Sequence, residues 1–388
     1  MSAHASSTEP ELTWCGNVAP ARDLDGWLRT ITEHYAAVAQ ADDPGNRPAG
    51  HLTPLGVWWP ASVAAALASD APLRSRVHEL LAAHELRIAT LNAFPFGDFH
   101  ADVVKTGVYR PSWADASRVD YTLDCARAVA GFAVPGDVIP ISTLPLGFED
   151  SRRAAMLDNL RRVARELARL QDATGVRCVL ALEPEPDCEL ERVDRAGAFL
   201  CDEVFRAQPD ESTLRQHLGV CVDLCHLAVV FEDVDAAFAS LRARGVEVGK
   251  IQVSSCLELR DGSALDALLA FDEPRYLHQT AADGGRLRAK DLDEVRTRRA
   301  EFAAAGLVRT HFHVPVFWDD PGALGSTREQ VVRALRAVAA PAPLLEVETY
   351  TWSVLGEAWR EGIDLPTAIA RELRFVREVI AGRNAGCP

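Results

Sequence analysis

Gly219-Val-Cys-Val-Asp-Leu-Cys-His-Leu-Ala228 runs apolar up to a carboxylate, Asp223, and sets an imidazole, His226, three positions later. A short apolar run that ends in an acid is how a strand buried on both faces presents chemistry at its C-terminal tip. Aspartate and histidine this close together also serve structural roles, so the neighbouring sequence has to decide between the two.

Outward from that stretch the same rhythm repeats. Upstream, Arg177 to Leu182 is a strand ending in Glu183, and Arg192 to Ala207 has helical spacing. Downstream come a helix over Val234 to Arg244 and a strand over Val248 to Val253. Toward the N-terminus, strands are expected at Leu12 to Val18, Leu55 to Trp59, Leu86 to Asn92 and Asp137 to Thr143, each followed by amphipathic spacing. Toward the C-terminus, Leu344 to Glu348 is a strand and Leu365 to Ile380 a closing helix, with helical or irregular material over Ser263 to Ala305.

Strand and helix alternate about eight times with no compositional break, which implies a parallel sheet with helices outside. Eight units favour a closed (β/α)8 TIM barrel over an open doubly wound sheet. The glycine fingerprint of dinucleotide folds is missing after the first strand. One apolar run is in excess, Val308 to Val316, and is assigned as an extended segment within the seventh βα connection. The expected organisation is a disordered start (1–11) and a single barrel domain (12–383) with an insertion at about 256–318.

Composition narrows the function classes. The 388 residues carry 41 basic and 56 acidic side chains, a net charge of −15, and 48% are hydrophobic. A nucleic-acid or anionic-membrane surface calls for a basic patch, and no dense Lys/Arg run occurs. The nine cysteines form no Cys-x-x-Cys pair, so they read as reduced core residues. No stretch approaches the apolar length of a membrane span or signal peptide. The expectation is a soluble cytoplasmic protein acting on a small neutral or polar molecule, with no nucleic acid, no membrane insertion, and an oligomer left open.

In a barrel of this kind the chemistry gathers at the C-terminal ends of the strands. Those tips offer Asn92, Asp98 and His100 after the third strand, Glu183 and Glu185 after the fifth, and Asp223 with His226 after the sixth. The seventh offers Gln252, Ser254 and Ser255, the extra run His311 and His313, and the last strand Glu346 and Glu348. Carboxylates, an imidazole and a carboxamide in one mouth suit a divalent cation. Oxygen ligands favour Mn²⁺ or Mg²⁺, and added imidazole admits Zn²⁺, Co²⁺ or Fe²⁺. Two carboxylates beside a polarised hydroxy-carbonyl unit could then shuttle a proton.

Each candidate has a plainer reading. Glu183, after Val-Leu-Ala-Leu, would be costly to bury without a partner. Glu185 follows Pro184 and reads as a solvated loop residue pointing away. Glu346 and Glu348 share a face by the period of two; Glu348 lies nearer the tip, which leaves Glu346 as a salt-bridged residue behind it. Gln252 is a marginal ligand that could equally bond neighbouring backbone. His311 and His313 share a face, with one of them expected to reach the site, and His100 fits a loop role as well. Aromatic residues at the tips, among them Phe94, Phe99, Tyr350 and Trp352, could stack on a sugar or serve ordinary packing.

Glu183, Asp223-x-x-His226, the seventh-strand polar residue and Glu348-Thr349 together resemble the xylose isomerase-like TIM-barrel superfamily, over nearly the whole chain as architecture. That resemblance implies Glu183, Asp223 and Glu348 as metal ligands, with Glu183 and Glu348 as the proton-transfer pair and His226 on the substrate or a second metal. The sequence departs from it at Gln252, where the superfamily has His or Asp. His311-Phe-His313 resembles the paired ligands of members with a second metal, so one divalent ion, or two, is implied.

More narrowly, Thr90-Leu-Asn-Ala-Phe-Pro-Phe-Gly-Asp-Phe-His100, Ile141-Ser-Thr-Leu-Pro-Leu-Gly147, Tyr276-Leu-His-Gln279, His311-Phe-His-Val-Pro-Val-Phe317 and Leu345-Glu-Val-Glu-Thr-Tyr-Thr-Trp352 resemble the EboE-type metabolite traffic family. Two readings follow. One is a divalent-metal-dependent isomerase or epimerase of a sugar or cyclitol. The other is a metabolite-binding or trafficking protein of a secondary-metabolite operon that kept the barrel without catalysis. An endonuclease-IV-like enzyme would need a basic face, which this chain lacks.

Overall fold

The computed structural model describes residues 10–42, 50–318, 322–338, 341–360 and 362–382. The disordered start expected at 1–11 falls, but for Pro10 and Glu11, outside the described residues. In chain order the strands are β1 (Leu12–Trp14), β2 (Thr53–Trp58), β3 (Leu86–Asn92), β4 (Val138–Thr143), β5 (Arg177–Leu182), β6 (Leu218–Asp223) and β7 (Val248–Val253). There follow β8 (Ser255–Leu259), β9 (Thr280–Ala282), β10 (Leu287–Ala289), β11 (Val308–Val314), β12 (Leu324–Ser326) and β13 (Leu344–Val347).

Eight of these form one parallel sheet in the order β1-β13-β7-β6-β5-β4-β3-β2. A parallel bridge between Cys15 and Gly56 joins its two edges, and Thr13 Oγ1 donates to Pro54 O at 2.8 Å across the same seam. The barrel is nearly closed, with helices between successive strands. Every residue of β6 is buried, as a strand covered on both faces requires. The long helix Arg153–Thr174 buries Met156, Leu160, Val163, Ala164 and Leu167 against the sheet and leaves its Arg/Glu face outside. It stops at Gly175, whose φ of 74° suits the left-handed C-terminal turn.

β1 is shorter than the expected run to Val18. The chain turns at Cys15 into a 3-10 turn, Gly16–Val18, and this lays Asn17 over the barrel mouth. Gly56 is dictated by the same seam, since a Cβ there would collide with the Glu346 carboxylate and stand 2.8 Å from Trp14 O.

Between β7 and β13 lies a second, antiparallel sheet in the order β10-β9-β11-β8-β12. β11 pairs antiparallel with β8 and β9, so the surplus apolar run is not a barrel strand. The segment read as helical or irregular contains β9 and β10, a short hairpin turned by Gly284 (φ 69°) and Gly285 (φ 87°). Among the described residues no helix is long and apolar enough to cross a membrane.

Candidate functional site

Register sets the site. Asp223 of β6, Gln252 of β7 and Glu346 of β13 are lateral partners across three neighbouring strands, all fully buried. Two strand residues deeper, Lys250 reaches Glu346 in an ion pair with no exposure on either side chain. Just above, Glu183 leaves the end of β5 and Glu348 the end of β13, and one oxygen from each of Glu183, Asp223 and Glu348 lies within 4.8 Å of the others.

These carboxylates are only partly satisfied. Glu348 Oε1 accepts from Asn17 Nδ2 at 2.7 Å and from Asn92 Nδ2 at 3.1 Å. Asp223 Oδ1 accepts from Ser254 Oγ at 2.8 Å and from His226 N at 2.9 Å, so the aspartate also caps the short helix Leu224–Val229. Glu183 Oε2 and Asp223 Oδ2 are buried with no hydrogen-bond partner. Burial, then the charges of Glu348 and Asp223, push the Glu183 carboxyl well above its ordinary range, while Lys250 pulls the other way. The Glu348 carboxyl is pushed up to about 8 by burial and by Asp223 and Glu346, against Lys250 and the Asn17 hydrogen bond. The cluster thus has more negative charge than its surroundings stabilise, and either protons or a cation must offset it.

Beside it stands a histidine cluster whose tautomers can be read from the acceptors. His226 Nδ1 meets Pro184 O at 2.9 Å and His313 Nδ1 meets Glu348 O at 2.8 Å; both carbonyls only accept, so each Nδ1 carries the proton. His311 Nδ1 meets Gln279 Oε1 at 2.8 Å, and that amide is oriented by its Nε2 donating to Pro186 O and Tyr109 OH. All three rings therefore turn Nε2 lone pairs inward, that of His311 accepting from Tyr350 OH at 3.3 Å. Those of His226 and His311 face each other at 3.1 Å, a separation close to that of two nitrogens sharing one ion at about 2.0–2.1 Å each. Burial first, then neighbouring imidazoles, hold His311 well below its ordinary range. Burial takes His313 down to about 4 against the pull of Asp223, and its Nε2 has no partner. Asp223, His226 and His313 form one possible ligand group, and Glu185, His226 and His311 another.

Above both clusters lies a cavity of about 50 Å³. Glu183, Glu348, Glu185, His226 and His311 form its polar side, and Phe94, Phe99, Tyr276 and Tyr350 its aromatic side. Phe99, Tyr276 and Tyr350 pack on one another with ring centroids 4.8–5.2 Å apart.

Glu183, Asp223, Glu348, His226, His311 and His313 are thus brought together, and both histidines of the pair reach the site rather than one. Gln252 lies on the floor with neither amide atom bonded to protein. Glu346 is the partner of Lys250. His100 is buried behind the mouth, its Nε2 2.7 Å from Asn17 O, which places Asn17 rather than touching the cavity. Glu185 is corrected: it is 5% exposed and accepts from Tyr109 OH at 2.6 Å. The alternation that puts Glu346 and Glu348 on one face puts Glu185 with Glu183, and Pro184 does not reverse it. Asn17, Tyr109, Gln279 and Lys250 were not singled out from sequence, and only the nearness of Asn17 to the first strand tip could have flagged one of them.

No family model matches the chain, and no curated protein sequence matches it. Solved structures do. A D-allulose 3-epimerase from Methylomonas sp. superposes over 95% of this chain and 98% of its own, with a TM-score of 0.50 and 11% identity. A xylose isomerase domain containing protein from Salmonella typhimurium LT2 gives 0.41 at 12% identity over 96% and 97% of the two chains. An AP endonuclease of family 2 from Brucella melitensis gives 0.38 at 14% identity over 63% and 79%. The fold is that of the xylose isomerase-like TIM barrels. The narrower resemblance to EboE-type proteins finds no support among these matches.

Proposed function

We propose that the protein is a divalent-metal-dependent isomerase or epimerase of a sugar or cyclitol-type metabolite. The observation that carries this reading is the buried triad Glu183, Asp223 and Glu348, meeting within 4.8 Å with Glu183 Oε2 and Asp223 Oδ2 unpartnered. Orphaned carboxylate oxygens cost several kcal/mol unless something positive meets them, and the buried cation below, Lys250, is already paired with Glu346. The donor set fits a divalent ion, with oxygen ligands suiting Mn²⁺ or Mg²⁺. The Nε2 atoms of His226 and His311, 3.1 Å apart, fit a second ion of the Zn²⁺, Co²⁺ or Fe²⁺ kind. That the solved relatives include a D-allulose 3-epimerase agrees with a sugar as substrate.

When bound, the ion would polarise a substrate carbonyl and make the neighbouring carbon or hydroxyl more acidic. The residues do the rest. Glu183 and Glu348, from the ends of β5 and β13, can take a proton from one position and return it at another, and burial raises both carboxyls above their ordinary range. Asn17 and Asn92 fix Glu348 Oε1, so its second oxygen is the reactive one. His226, held by Pro184 O, offers Nε2 as an acceptor for a substrate hydroxyl. Phe99, Tyr276 and Tyr350 exclude water.

The test replaces Glu183 and Glu348 singly by Gln, measures bound metal by elemental analysis, and follows solvent deuterium into candidate ketoses and inososes. Loss of metal in both variants and exchange only by the wild type are expected; metal content untouched by both changes would sink the site. A second reading, metabolite binding without turnover, is favoured by Gln252 standing where the superfamily has His or Asp. Tight sugar binding with no deuterium exchange would select it.

A further inference from the structure

The unpartnered polar atoms of the cavity are nearly all acceptors. Glu183 Oε2 has no donor, and Asn17, having given its Nδ2 to Glu348, leaves Oδ1 buried and unpartnered. His226 offers an Nε2 lone pair, as its tautomer requires, and that of His311 is shared with Tyr350 OH. Glu185 faces the same space and accepts a hydrogen bond from Tyr109 OH at 2.6 Å. On the donor side stands the phenol of Tyr276, whose OH has no partner, while Tyr350 OH is given to His311 Nε2 at 3.3 Å. Lys105 is the cation that lines the cavity, and its Nζ is committed to Asp291 Oδ2 at 2.6 Å and Glu273 O at 3.3 Å.

Resting on the metal-dependent sugar reading above, we infer that the cavity takes an uncharged polyhydroxylated substrate, excludes its phosphorylated or carboxylated counterparts, and uses Glu185 as the residue that sets this specificity. Carboxylate and imidazole acceptors are matched by hydroxyl groups, which donate. A phosphate or carboxylate only accepts, and its recognition calls for Arg, a free Lys or a run of backbone N–H groups. None of these lines the cavity among the described residues. An ion held by the triad would take the hydroxy-carbonyl end, which leaves the far end of the substrate to meet Glu185, Tyr109 and the paired Lys105. An anion there would lie against the Glu185 carboxylate in a space with little water, where like charges repel strongly.

Tyr109 and Gln279 are positioning residues for this wall. The hydrogen-bond direction runs one way, from His311 Nδ1 to Gln279 Oε1, from Gln279 Nε2 to Tyr109 OH, and from Tyr109 OH to Glu185. That chain ties an insertion strand and a loop after β3 to the tip of β5. It fixes which oxygen of Glu185 remains for the substrate.

The experiment is calorimetric titration of the full chain, loaded with Mn²⁺, with D-fructose, D-xylulose and myo-inositol, each against its own monophosphate. At least one free compound is expected to bind, with its monophosphate about 100-fold weaker. Glu185→Gln should narrow that ratio about tenfold. Should that variant not fold, Asp291→Asn keeps the helix cap, frees Lys105 and should narrow the ratio in the same direction. Monophosphates that bind as tightly as the free compounds, or a ratio indifferent to both changes, overturn the inference and leave the metal-dependent sugar reading standing. Binding of no compound in either form overturns both.

Discussion

Lys250 and Glu346 sit on the barrel floor with no exposure, and neither charge has a route to water. Removing one partner of such a pair strands the other, so Lys250→Met should cost about 3–5 kcal/mol in urea unfolding, and adding Glu346→Leu should recover most of it. A single variant as stable as the wild type would contradict this reading of the pair. Glu372 makes the opposite case. It is buried without a cation, accepts from Thr349 Oγ1 at 2.7 Å and Val316 N at 3.0 Å, and burial pushes its carboxyl up to about 7 from an ordinary 4.5. The folded chain keeps that proton where the unfolded chain has lost it, so stability falls as pH rises through this window. Glu372→Gln keeps an accepting oxygen and removes the charge. It should gain up to about 3 kcal/mol over the wild type at pH 8 and nothing at pH 4, and equal stability at both pH values would contradict the assignment. At this scale Glu183, Asp223 and Glu348 were legible because each ends an apolar run, where an acid is conspicuous. Lys250 was not, since one lysine inside a strand looks the same whether it faces the barrel or the solvent.

The roof over the cavity is built from two connections rather than from the barrel. Val104 N and Lys105 N both donate to Arg275 O at 2.8 Å, Arg275 Nε donates to Ala101 O at 3.1 Å, and the Lys105–Asp291 pair closes the clip. The space beneath is tight for a monosaccharide, so entry requires this clip to open. A half-exposed ion pair contributes about 1 kcal/mol or less. Lys105→Ala should therefore raise amide hydrogen exchange across residues 101–109 by about fivefold while the strands of the barrel keep their protection. Exchange unchanged in that segment would mean the backbone bonds alone hold the roof. Elements of this size were the hardest to see in sequence. β9 and β10 are three residues each, too short for alternation to register, and their pairing is set by the Gly284–Gly285 turn and by β11. The long helices and the strands β3, β5 and β7 were plain because several turns or alternations repeat the same signal.

Across the whole molecule the three acids come from β5, β6 and the end of β13, spread over four neighbouring positions of the sheet order β13-β7-β6-β5. The closed barrel followed from eight alternations; how it closes did not, because the seam between β1 and β2 rests on Cys15, Gly56 and one threonine bond. The insertion sheet then brings His311 and His313 to a mouth that the barrel alone would leave open. Folding thus assembles buried negative charge from distant parts of the chain, a cost the unfolded protein does not carry. An ion that binds only the assembled site lowers that cost, and at 100 times its dissociation constant it adds about 2.7 kcal/mol. Mn²⁺ should accordingly raise the Tm by several degrees and EDTA should reverse the shift. The combined Glu183→Gln and Glu348→Gln variant should respond to neither, while melting at or above the metal-free wild type because two of the repelling charges are gone. A Tm indifferent to both metal and chelator in the wild type would show that protons, and not a cation, balance the triad.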